Sequence, residues 1–181
     1  MHQYRDRLSV AITSVADSEI LAVARILSET RMTGSRVWII GNGGSATTAD
    51  HFATDLLRCA DATGAPLRAV SLCSNQGIVT ATANDFGFEN IFVRQLQSLA
   101  AAGDVLISIS ASGNSPSIVD AIKWAQDHSI LTLALTGFDG GSARRLADLS
   151  IHVESALGDY GVCEDVHLSI CHMISEILRA D

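Results

Sequence analysis

Proline is nearly missing from this chain, with two residues in 181. No stretch rich in serine and glycine, and no charge-rich linker, divides it either. The sequence therefore offers no boundary between folding units, and its 181 residues fall within the ~100–200 usual for one domain. No apolar run approaches the ~18–20 residues needed to cross a bilayer. The opening MHQYRDRLSV carries no signal-peptide core, so no membrane partner is expected. Positive charge is scarce: 12 Lys and Arg stand against 20 Asp and Glu, a net charge of −8. That balance argues against nucleic acid or an anionic membrane surface as a partner. The four cysteines, Cys59, Cys73, Cys163 and Cys171, form no CxxC, so neither a disulfide scaffold nor a zinc ribbon is supported. What is plentiful is apolar. Hydrophobic residues make up 48% and charged residues 18%, which excludes disorder and leaves an acidic, soluble α/β domain expected in the cytoplasm.

The whole chain, 1–181, reads as one domain, with a helical arm over 1–33 and an α/β core over 34–181. In the arm, Leu8, Ile12 and Val15 recur at helical spacing, and Ile20, Val23, Ala24 and Leu27 do so again. Asp17 and Ser18, just before the second run, have the character of an N-cap, which predicts two short helices forming a hairpin. Such a hairpin outside an α/β core leaves its apolar stripe poorly covered in an isolated subunit, and so predicts a homo-oligomer. From Arg36 the pattern changes to short β-branched runs: 37–40, 67–72, 104–110, 131–136 and 149–153. Helical stretches between them predict a parallel sheet with helices on both faces. Right-handed crossovers make this a flavodoxin-like three-layer sandwich with five strands in the order 2-1-3-4-5. The last segment, roughly Cys163 to Arg179, is amphipathic, with Val166, Ile170, Ile174 and Ile177 on one side.

Two loops have the composition of anion sites. The first predicted strand runs into GNGGSATTAD (41–50), where Gly41, Gly43 and Gly44 permit positive φ and close approach of a ligand. Ser45 then opens a helix whose N-terminus favours an anion. The spacing is neither GxGxxG nor GxxxxGK[ST], so no nucleotide cofactor is expected. The third strand ends in SASGNSPS (110–117), which supplies the hydroxyls of Ser110, Ser112, Ser115 and Ser117, with Pro116 suited to a first helical turn. A nest of hydroxyls and N–H groups without lysine suits a sugar phosphate monoester. Each loop alone could be a capped turn. In the order 2-1-3-4-5, however, strands one and three are neighbours, and both loops open on the crevice at their carboxyl ends.

Four residues could carry chemistry. His51 and Asp55 stand at i and i+4 of the helix after the first loop and share a face. Glu164 and His172 are eight residues apart, about 12 Å along a helix. They reach one ion only if Glu164 lies at a frayed helix start or different subunits contribute. By ligand type, His51, Asp55, Glu164 and His172 suit zinc. The plainer readings are a packed His51, a solvated Asp55, and carboxylates at Glu164 and Asp165 drawn to a helix start. His167 reads as structural or rim-lining rather than catalytic. Cys163, ahead of the helix proper, and Cys171 read as half-buried thiols.

GNGGSA, HFATDL, ANDFGFENIF, SASGNSP, LTGFDGG and EDVHLSICH together resemble the SIS (sugar isomerase) domain family, and within it the sedoheptulose 7-phosphate (phosphoheptose) isomerases. The resemblance implies a five-stranded parallel sheet, a homotetramer with active sites between subunits, and a zinc ion. It also implies aldose–ketose isomerisation of sedoheptulose 7-phosphate to D-glycero-D-manno-heptose 7-phosphate through an enediol, as part of bacterial heptose biosynthesis. Asn42 and Ser45, flanking Gly43 and Gly44, match ligand-contacting positions. Ser110, Ser112 and Ser115 match phosphate-binding serines, with Ala111 where a threonine is common. Asn84 and Asp85 match a pair expected at sugar hydroxyls. Asp55 stands where the family has a glutamate proposed as base, Glu164 where it has a glutamine, and His172 matches the histidine proposed as acid. An aspartate expected three residues before Glu164 is Gly161, with Asp159 nearby. Asp55 is one methylene shorter, which sets its carboxylate roughly 1.5 Å back and impairs proton transfer. The division of labour expected is that Glu164 and His172 handle the proton while His51 and Asp55 hold the ion. The competing reading is a non-catalytic SIS module that senses a sugar phosphate or binds a protein such as the replication initiator.

Overall fold

The computed structural model describes residues 2–59 and 66–180. Its elements are α1 (His2–Thr13), α2 (Asp17–Thr33), β1 (Arg36–Gly41), α3 (Gly44–Arg58), β2 (Arg68–Ser71) and α4 (Gln76–Phe86). A 3₁₀ turn (Phe88–Asn90) leads to α5 (Val93–Leu99), β3 (Val105–Ser110), α6 (Pro116–Asp127) and β4 (Leu131–Thr136). The chain closes with α7 (Gly141–Leu146), β5 (Leu149–His152) and α8 (Tyr160–Ala180).

The β-branched runs pair into a parallel sheet in the order β2-β1-β3-β4-β5. Because strand side chains alternate between faces, the three central strands feed two cores. Val37, Ile39, Ile107 and Leu133 face a layer made of α1, α2, α3 and α8, whereas Trp38, Ile40, Leu106 and Ala134 face the opposite layer. Helices on both faces bury β3 along its whole length, which is why it reads as an unbroken apolar stretch. Asp104 pins the start of β1 to β3: its carboxylate accepts the Arg36 N–H and the Trp38 Nε1–H, both at 2.8 Å. The resulting register sets Gly41 opposite Ile109, so the loops that follow β1 and β3 emerge side by side.

The arm differs from expectation in two respects. Asp17 is already inside the first turn of α2, and the N-cap is Ala16, with no side-chain cap. Asp17 and Glu19 instead place carboxylates against the helix N-terminus. The apolar stripe of α2 is also covered within the chain. Ile20, Val23, Ala24 and Leu27 are buried in the core they share with α8, because α8 is wide enough to pack α1 and α2 as well as α3. Tyr4 donates to Asp165 at 2.6 Å and Arg7 to Asp159 at 2.7 Å, which fastens α1 to the first turns of α8. Ile12 is exposed, and Ala11 and Val15 carry the buried side of this segment.

α8 begins at Tyr160, one turn earlier than expected. Cys163 therefore lies within the helix, and both it and Cys171 are fully buried rather than half-buried. Burial pushes the Cys163 thiol up to about 11, and raises that of Cys171 as well. Among the described residues no helix is long and apolar enough to cross a membrane, and none of the four cysteines forms a disulfide.

Candidate active site

Both loops reach the crevice at the carboxyl ends of β1 and β3. In the first, only Gly43 of the three glycines takes a positive φ (56°), and it serves as the N-cap of α3. In the second, Ser110 Oγ accepts the Gly113 N–H at 3.1 Å and Ser112 Oγ accepts the Asn114 N–H at 3.3 Å. Ser115 is the N-cap of α6 and Pro116 occupies its first turn. Gly113 is held at φ 63°, and a β-carbon there would run into the carbonyl of Gly140. The loops are tied directly, with Asn42 Nδ2 donating to Ser117 Oγ at 2.9 Å.

Between them lies a cavity of about 280 Å³, lined by Asn42, Gly43, Gly44, Ser45, Ser110, Ser112 and Ser115 and closed by Tyr160 and Glu164. Among the described residues neither lysine nor arginine lines it, so an anion there is met by hydroxyls and backbone dipoles. Glu164 leans over Gly44 so closely that any side chain at Gly44 would collide with its carboxylate.

A second group sits where α3 crosses α8. Phe52, Ala53 and Leu56 bury one side of α3, which leaves His51 and Asp55 at the rim of the crossing, facing His172. His51 Nε2 and His172 Nε2 are 2.9 Å apart. Asp55 Oδ2 is 3.3 Å from the first and 3.8 Å from the second. At such separation one imidazole must donate and the other accept, since two lone pairs would repel. The three donor atoms lie within 4.8 Å of one another. Two imidazole nitrogens and a carboxylate oxygen form the donor set of a catalytic zinc with one position open, and these residues fit such an ion. Glu164, expected as a fourth ligand, is not in this cluster and lines the loop cavity instead. The reason is helical rigidity: α8 is unbroken from Tyr160, so no frayed start brings Glu164 down to His172.

The family model for the SIS domain matches residues 2–137. The chain belongs to the SIS domain family. It is 38% identical over 157 residues to the phosphoheptose isomerase of Pelobacter propionicus, covering 87% of this chain and 82% of that protein. The solved phosphoheptose isomerase from Neisseria gonorrhoeae superposes with a TM-score of 0.86 at 30% identity, over 97% of this chain and 92% of that one. The one from Francisella tularensis gives 0.85 at 28%, over 99% and 92%. This SIS-domain chain is thus a phosphoheptose isomerase-like sugar-phosphate isomerase.

Other expected site residues of this SIS domain fall elsewhere. Asn84 and Asp85 are exposed near the end of α4, and Asn84 Nδ2 donates to Asp85 Oδ1 at 2.8 Å. Neither lines the loop cavity, because α4 turns only Thr82 fully inward. Asp159 is engaged by Arg7 of the arm. His167 is structural: fully buried, with Nε2 3.6 Å from Cys163 Sγ. Burial lowers its pKa to about 4, so it is held neutral. Tyr160 is a lining residue that sequence reasoning missed. Its spacing of i to i+4 from Glu164 was the available signal, since that spacing puts both on one face of α8.

Proposed function

We propose that this SIS-domain enzyme converts sedoheptulose 7-phosphate to D-glycero-D-manno-heptose 7-phosphate through an enediol(ate). The observation that carries the reading is a serine-lined cavity opening between two loops, with the His51–Asp55–His172 cluster where α3 crosses α8, the helix that supplies both His172 and Glu164. An unanswered carboxylate repels a phosphate dianion. The phosphate therefore rests on Ser110, Ser112 and Ser115, with Asn42 to Ser45 completing the cradle, and Glu164 faces the sugar chain. Glu164 takes the proton from C1 and returns it to C2, while His172, two turns away on α8 and reaching the sugar from a neighbouring subunit, manages through Nδ1 the proton that moves between the two oxygens. His51 and Asp55, with His172, would hold a divalent ion such as zinc, which when bound supplies a Lewis acid to the sugar oxygens. Asn84 and Asp85 are assigned to the sugar hydroxyls of a neighbouring subunit's site, in a cytoplasmic homotetramer of the kind the family resemblance implies.

Incubation with sedoheptulose 7-phosphate in deuterated water, with and without Zn²⁺, tests this. Aldose product carrying deuterium at C2 is expected. Ligand binding with neither exchange nor product would instead leave a sugar-phosphate sensor. Should Glu164→Gln keep full activity while Asp55→Asn abolishes it, the assignment of the proton to Glu164 and the ion to Asp55 is wrong.

A further inference from the structure

Asp55 has two carboxylate oxygens, and they face different partners. Oδ2 is turned to the two imidazoles, whereas Oδ1 lies 4.0 Å from Arg179 Nη2. Arg179 is seven residues beyond His172 on α8, two turns along the same face. Its other nitrogen, Nη1, is held by Glu176 Oε1 at 2.9 Å. The guanidinium also lies close enough to Cys59, one turn beyond Asp55, to lower that thiol's pKa against the larger effect of burial, which raises it. The guanidinium therefore hydrogen-bonds Glu176 through Nη1 and faces Asp55 through Nη2 at ion-pair distance, an arrangement of two separate N–H groups that a single ammonium does not reproduce. Asp55 is the less exposed of the two acids, at 14% of its side chain against 74% for Glu176, so its orientation has the stronger consequence.

We propose that Arg179 is a positioning residue for Asp55: by drawing Oδ1 to itself it leaves Oδ2 alone facing His51 and His172, so that Asp55 offers one oxygen to a divalent ion. This rests on the reading of those three residues as ion-binding. Simple charge repulsion makes the opposite forecast, because a guanidinium beside a cation site weakens cation binding and its removal tightens it. The sign of the effect thus separates positioning from bulk electrostatics.

Co²⁺ is the probe, read by titration and by the visible spectrum of the bound ion. Loss of groups that orient a ligand costs about 10–100-fold in metal affinity, and for this half-exposed arginine we expect Arg179→Gln to weaken Co²⁺ about tenfold. Arg179→Lys recovers part of the loss, and the Asp55→Asn chain is not weakened further by Arg179→Gln. Equal or tighter binding in Arg179→Gln, or an undiminished further loss on top of Asp55→Asn, overturns the proposal. If Arg179→Gln melts too low to titrate, Arg179→Lys decides, and wild-type affinity with an unchanged spectrum overturns it. A wild-type chain that takes up no Co²⁺ ends the ion-binding reading and this inference together. Tight Co²⁺ binding without isomerisation counts against the proposed reaction and leaves the role of Arg179 standing.

Discussion

At the serine-lined cavity the backbone does the placing. The β1–β3 register sets Gly41 beside Ile109, and the Gly113 and Asn114 N–H groups are held by the serines of their own loop. At the His51–Asp55–His172 cluster, side chains from two helices meet across a crossing fixed by Phe52, Leu56, Cys171 and Ile174 in the core beneath. The first region is built by local chain geometry and the second by tertiary packing. They should therefore fail in different ways: the cavity through backbone changes that abolish binding, the cluster through side-chain changes that abolish turnover while binding persists.

The sharpest break in that comparison comes from His172→Gln. Loss of a group that moves a proton and helps to hold the ion lowers kcat by on the order of 10³-fold, and with substrate binding carried by the phosphate cradle KM stays within about threefold. Steady-state kinetics decides, and a rise in KM without loss of kcat would move His172 to the binding side. Gly113→Ala strikes the other region. With φ at 63° and the Gly140 carbonyl in the way, the change costs about 2–3 kcal/mol. Thermal melting and phosphate affinity should fall together, without any change in Co²⁺ binding. Ser110→Ala removes one hydroxyl from the cradle and raises KM about tenfold, the worth of a hydrogen bond to a charged group, with kcat nearly unaltered.

The same contrast explains what the sequence made legible. The strands were readable because burial on both faces turns residues such as Val37–Ile40 and Val105–Ile109 into apolar runs of strand length. The loops were readable because glycine, serine and Pro116 act within a few residues of themselves. His51 and Asp55 could be paired from their i, i+4 spacing, and His172 joined them through the α3–α8 crossing. The separation of Glu164 from that cluster was hidden in the start of α8. Tyr160 and Gly161 are weak helix formers, and their helical state is supported from outside, by the Tyr4 and Arg7 contacts to Asp165 and Asp159. The covering of the arm was equally out of reach, since α8 packs α1, α2 and α3 through a face wider than its own Val166–Ile170–Ile174 stripe announces.

The mildest effect expected lies in neither region but beneath the turn of α8 that carries Glu164. There His167 is enclosed by Cys163 from its own helix and by Thr136 of β4, and it feels the field of His152 from β5. Burial is what holds its pKa down at about 4, with His152 lowering it further and a hydrogen bond to the Thr136 backbone opposing. His152 is itself lowered by burial first and by Arg144 second, and Cys163, raised to about 11, stays a thiol. An unfolded histidine titrates near ~6.5. As pH falls from there towards about 4, the unfolded chain takes up a proton that the folded chain refuses. Stability therefore declines through that window and is unaffected by this group above it. Urea midpoints at about pH 7 and about pH 5 should differ for the native chain, and His167→Gln should flatten the slope. If the His167→Gln chain keeps the full acid sensitivity, the carboxylates carry it and His167 is only packing. Should the slope flatten while Co²⁺ affinity stays constant, the cavity side of α8 and the cluster side are energetically separate, as their different construction requires.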